Sequence, residues 1–164
     1  MTTASSARAP FSPRRAILFG GLAVGTADIL WAIVMNGLKG RSAVWVLQSV
    51  AGGMLGTATF EGGLPTAFLG MFTHYFIATC WVAGFYVAGR KWPELARRPW
   101  VYGPLYGIFV YVMMYQVVLP LSAYHTKGIK LGIELVKGLT IHIFGVGVLA
   151  ALFARKGNPA AQGA

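Results

Sequence analysis

The stretch AILFGGLAVGTADILWAIVMNGL, residues 16–38, holds a single ionisable side chain, Asp28. As a helix it would be about 35 Å long at 1.5 Å per residue, enough to cross the roughly 30 Å hydrocarbon core of a bilayer. A water-soluble helix of that length pairs an apolar stripe with a charged face, whereas here apolar residues run all the way round. Residues 65–89, 100–124 and 132–154 read the same way. Composition agrees, with 56% hydrophobic and 11% charged residues, against about 25% charged in a soluble domain. The expected fold is an all-α membrane protein, a four-transmembrane-helix bundle.

Between the first two spans, residues 42–56 place Val44, Leu47, Ala51, Met54 and Leu55 at helical spacing, with Gln48 and Ser49 opposite. The segment is short for a crossing, so it reads as an additional interfacial or re-entrant helix; a fifth span is the alternative. Residues 14–156 then form one transmembrane domain. The tails, 1–13 and 157–164, are rich in small and polar residues and in proline, and are expected to be disordered. Gly25 and Ala27 could precede a signal-peptide cut, but the apolar run continues to Met35, which favours an uncleaved first helix. Arg14-Arg15 invites a twin-arginine reading that the residues around it do not support.

Lys and Arg set the orientation. With the N-terminus inside, the inner segments carry nine (Arg8, Arg14, Arg15, Arg90, Lys91, Arg97, Arg98, Arg155 and Lys156) and the outer ones five (Lys39, Arg41, Lys127, Lys130 and Lys137). Both termini are therefore expected in the cytoplasm. Trp92, Trp100 and Tyr102 on one side, with Trp45 and Tyr124 on the other, fit interfacial belts. The net charge of +10 has this topological cause, and nucleic acid is not an expected partner.

Three ionisable residues lie near span midpoints: Asp28, His74 and His142. A charge at the bilayer centre costs at least ~2.5–3.5 kcal/mol, so such residues face the bundle interior and invite a functional reading. Their faces follow from spacing. Gly21, Gly25 and Asp28 share one stripe, as do Gly70, His74 and Ala78, and Gly138, His142 and Gly145. Small residues mark close helix contacts, so all three polar groups should point inward as a candidate relay or ligand set. The plain alternative is interhelical glue at roughly 0.6 kcal/mol per group.

Gln116 is secondary. Pro120, four residues on, cannot donate to its carbonyl, so a kink is expected there, and the side chain points away from Gly103 and Gly107. Glu134 and Lys137 read as a surface ion pair. Tyr102, Tyr106, Tyr111 and Tyr115 read as bundle packing, and His125 with Lys127 as a solvated loop. Cys80 is a lone small core residue without a disulfide or Cys-x-x-Cys partner. No P-loop, dinucleotide fingerprint, His-Glu-x-x-His or nucleophile elbow occurs, which leaves no catalytic residue to name.

VVLPLSA (117–123) and ELVKGLTIHIFGVGV (134–148), together with the mid-span histidine of the second span, resemble the small four-span inner-membrane proteins of bacteria, broadly YagU-like. The likeness covers about residues 14–156, although the connection after the first span differs. It implies a bacterial inner (plasma) membrane and brings no functional residues with it.

Three functions are compatible with these residues. The leading one is a non-enzymatic accessory or self-associating subunit, resting on the missing motifs and on the Gly-x-x-x-Gly pairs Gly21/Gly25 and Gly103/Gly107. Its partners would be the lipid bilayer and either further copies of the chain or a larger membrane complex. The second is a small proton- or ion-coupled channel or transporter using Asp28, His74 and His142. The third is a redox protein holding one haem between His74 and His142; otherwise no cofactor is expected, and a metal is undecided.

Overall fold

A computed structural model describes residues 11–125, 128, 129 and 131–161. Most of the N-terminal tail, Lys127, Lys130 and residues 162–164 lie outside that set. The described residues form six helices: α1 (Pro13–Gly37), α2 (Ala43–Leu55), α3 (Gly63–Lys91), α4 (Pro93–Arg97), α5 (Pro99–Leu121) and α6 (Ile133–Gly157). A 3-10 turn, Gly56–Glu61, follows α2. Five segments are long and apolar enough to cross a membrane: α1, α3, α5, α6, and α2 taken with its 3-10 turn.

Local chemistry sets the boundaries. Ser12 caps α1 by accepting the Arg15 amide at 3.3 Å, with Pro13 in the first turn. Ser42 caps α2 through the Trp45 amide at 3.1 Å. Gly56 and Gly132 adopt φ of 62° and 78°, which a side chain would disfavour. The third span was expected to reach residue 124 but stops at Leu121. Pro120 has no amide hydrogen to continue the ladder, and Ser122 turns extended with its hydroxyl donating to the Leu119 carbonyl at 2.7 Å. The short arginine-rich connection holds α4, where Glu94 in the first turn meets Arg98 at 2.6 Å.

Neighbouring long helices run antiparallel. Gly20 lies against Val82, Gly21 against Thr79 and Gly25 against Tyr75, so α1 descends as α3 climbs. Gly103 meets Gly147 and Val148, Gly107 meets His142, and Tyr111 meets Gly138, which orders α5 against α6 in the same sense. Ala16 touches Gly157 and Ala27 touches Gly145, closing α6 onto α1. The interior is built from small side chains, among them Ala16, Ala78, Ala150, Ala151 and Ala154. Large apolar ones such as Leu18, Phe68, Phe72, Leu105 and Phe144 face outward. An apolar solvent produces that inversion, because burial of large side chains gains little where lipid is equally apolar.

Segment 38–62 leaves the end of α1 and returns to the start of α3. Trp45, early in α2, stacks on Phe60 at the end of the 3-10 turn, ring centroids 5.4 Å apart. Gln48 and Thr59 are buried and tie the two limbs together. Thr59 Oγ1 donates to the Gln48 carbonyl at 2.9 Å, and Gln48 Nε2 donates to Thr66 Oγ1 at 3.2 Å. The Leu47 carbonyl rests directly on Gly70 of α3, where no Cβ would fit. Farther along α2, the Gly53 carbonyl accepts the Ala123 amide at 2.9 Å.

The C-terminal tail from residue 157, expected to trail away, is instead folded back as far as residue 161. Asn158 is 1% exposed. Its Nδ2 donates to the Gly89 carbonyl at 2.8 Å and its Oδ1 accepts the Ala160 amide at 3.2 Å. Arg97 holds the Ala160 carbonyl from outside at 3.0 Å. Replacing Asn158 with Ala leaves a buried carbonyl unpaired and should cost about 2 kcal/mol, read as a clear fall in melting temperature in detergent. A variant that melts with the parent would show that the dock contributes nothing.

Candidate functional site

Asp28, His74 and His142 come together at the junction of two cavities. The first, 410 Å³, lies among α1, α2, α3, α5 and α6, and all three residues line it. The second, 650 Å³, is walled by α1, α5 and α6, and has Asp28 and His142 on its wall. Both also share Asn36 and Tyr115. The second cavity extends to the end of the bundle where α1 stops and α6 begins, reaching Lys39, Arg41, Tyr124 and Glu134. Toward the opposite end the core is filled by Val24, Val82, Val110, Ala150 and Ala151, each at most 2% exposed.

Hydrogen bonds fix how the two imidazoles are presented. His74 Nε2 lies 2.9 Å from the Gly25 carbonyl, so it carries the proton and donates across to α1. The same nitrogen is 3.9 Å from Asp28 Oδ2, a neighbour beyond hydrogen-bond range. His142 Nδ1 donates to the Gly138 carbonyl one turn back at 2.9 Å. In neutral rings this leaves His74 Nδ1 and His142 Nε2 to gain a proton. A haem between the rings would have to use those two nitrogens. Among the described residues no group of three or more His, Cys, Asp or Glu is placed to hold a metal ion.

Tyr111 and Tyr115 pack edge-on against the His142 ring, centroids 5.2 and 6.3 Å away. Tyr115 and His142 both sit in π-helical stretches, Met114–Val118 and Ile141–Val148. Such widened turns recur at functional sites because they re-aim side chains and loosen the backbone ladder. In α5 the cause is Pro120. The Leu119 amide reaches back to the Met114 carbonyl, and Pro120 supplies no donor for the carbonyls of Tyr115 or Gln116. Gln116 itself is exposed, with its side-chain oxygen beside Gly128, and lines neither cavity.

The glycine pairs serve contacts within the chain. Gly21 and Gly25 seat α1 on α3, and Gly103 and Gly107 seat α5 on α6. Glu134 has a larger role than a surface pair with Lys137, since Lys39 joins it at 3.0 Å from the end of α1. Residue spacing marks each half of this wall, though not that the two halves meet. Asp28 and Met35 fall on one face of α1, a line that Lys39 continues just past its end, and Glu134, Lys137, Gly138 and His142 on one face of α6. Tyr111 and Tyr115, read as packing, line the wider cavity.

No known protein family, curated protein or solved structure matches this chain.

Proposed function

We propose that the chain is a four-span protein of a bacterial inner membrane that couples proton binding at Asp28, His74 and His142 to the passage of a small solute. The observation that carries this is the gathering of a carboxylate and two imidazoles where two cavities adjoin. One cavity leads to the end of the bundle, and packed small side chains stop the other direction. A path open at one end suits a carrier that alternates its access better than a standing pore. The groups facing Asp28 across the first cavity are His74 from α3, Tyr115 from α5 and His142 from α6. The accessory-subunit reading leaned on glycine pairs, and those are occupied inside the bundle.

The four-span count has its own support. If α2 and its turn crossed the bilayer, α3 would start on the far side and run parallel to α1; the residue pairing is antiparallel. Residues 38–62 are therefore read as a re-entrant hairpin, with both chain termini on the side richer in Lys and Arg, the cytoplasm. In a Cys80→Ser background, a membrane-impermeant maleimide should label Arg41→Cys and Glu61→Cys from one side and Arg97→Cys from the other. Labelling of Arg41→Cys and Glu61→Cys from opposite sides would replace this topology with five spans.

The function is tested in proteoliposomes carrying an internal pH dye. With an imposed solute gradient, the parent protein should move protons well above empty vesicles, and Asp28→Asn should not. Proton flux that persists in Asp28→Asn would rule out the relay.

A further inference from the structure

Resting on that reading, we propose that the wider cavity binds a small organic carboxylate, which travels with the proton. The wall carries three cations, Lys39, Arg41 and Lys137, against Glu134 and, at its inner end, Asp28 and His142. Glu134 bridges two of the cations, with Oε2 3.0 Å from Lys39 Nζ and Oε1 3.6 Å from Lys137 Nζ. A carboxylate held by two ammonium groups, one just past the end of α1 and one on α6, marks the place and geometry that a free carboxylate would take. One acid shared between two lysines leaves positive charge to spare, and Arg41 adds more from its stack over Trp45 at 3.8 Å. Trp31, Tyr111, Tyr115 and Tyr124 supply aromatic wall for the apolar body of such a ligand. At 650 Å³ the space exceeds what an inorganic anion needs.

The same wall links anion to proton. Neutralising Asp28 with a proton removes a negative charge from the cavity and so favours an anion in it. By reciprocity the bound anion favours the proton. The balance is simple: one proton joins the Asp28 carboxylate, one carboxylate enters, and the pair adds no net charge.

The test is equilibrium binding of benzoate to the full chain in uncharged detergent, by calorimetry. Saturable binding is expected, about tenfold weaker in Lys137→Gln and in Lys39→Gln, since each removes a charge-assisted hydrogen bond. Glu134→Gln should bind several-fold tighter, because the tethered competitor is gone; a purely structural ion pair would give weaker binding or none. No saturable binding by the parent, or an equal loss in all three variants, overturns the proposal. An oxyanion could also come from a lipid headgroup. Nanodiscs of phosphatidylcholine separate the sources from those containing phosphatidylglycerol. Binding of benzoate in phosphatidylcholine supports the proposal, while an absence there with headgroup occupancy in phosphatidylglycerol overturns it. Benzoate binding without proton-linked flux would sink the transport reading alone, and flux without benzoate binding would sink the carboxylate alone.

Discussion

Gly107→Ala should be among the most damaging single-methyl changes in the described part of the molecule. A Cβ at residue 107 would fall on the His142 carbonyl and 2.7 Å from the Ile143 Cα. Both obstacles are backbone, so no rotamer change relieves them, and α5 must move off α6. That interface also meets Gly147, which lies on the Gly103 carbonyl and the Gly107 backbone. Overpacking a well-filled core costs roughly 1–3 kcal/mol. Here the separation of two whole helices adds to it, giving an expected loss of about 3 kcal/mol or more. Thermal unfolding in detergent should show a steep fall in melting temperature or loss of the monodisperse species. Gly37→Ala is the control, since nothing lies within 4 Å of its new methyl. If the two variants melt alike, the close contact between α5 and α6 is not what holds the bundle.

Asp28→Asn should act in the opposite way, abolishing proton-linked flux by at least tenfold while leaving the melting temperature unchanged or raised. The fold gains little from the carboxylate. His74 gives its proton to the Gly25 carbonyl at 2.9 Å and stands 3.9 Å from Asp28. An ionised carboxylate at mid-bilayer costs at least ~2.5–3.5 kcal/mol, and the isosteric amide avoids that cost while keeping a hydrogen-bonding group in place. A residue kept at a penalty to stability points to function. Flux and melting read on one preparation separate the outcomes. A large fall in melting temperature would make the cluster structural glue, and intact flux would rule out the relay.

The membrane class and the long helices were legible because each depends on a run of adjacent residues. So was the meeting of Asp28, His74 and His142. Equal depth follows from counting 1.5 Å steps, and the inward face from glycines spaced at three and four. The partner of a glycine stripe was not legible. Small residues at Gly103 and Gly107 announce a close approach without saying whether the neighbour is another copy or α6 of the same chain. The cationic wall was hidden for a similar reason, since Lys39 and Glu134 meet only because two distant segments fold to one end of the bundle. The π-helical stretches at Tyr115 and His142, five and eight residues long, shift the register too little to disturb an apolar run with no polar face to track. Asn158 lies in a stretch whose composition reads as tail, and only its fit against Gly89 turns it into core.

The bond between the Gly53 carbonyl and the Ala123 amide, with Tyr124 edge-on to Phe60, also sets an order of events during synthesis. The chain emerges from its N-terminus, so residues 38–62 exist long before the residues that clasp them. Until α4 and α5 have been made and placed, α2 has only α1 and α3 to lean on. Its last anchor arrives late, and the cavity walled by Val46, Gly53, Ser122 and His142 is completed only when translation has passed α6.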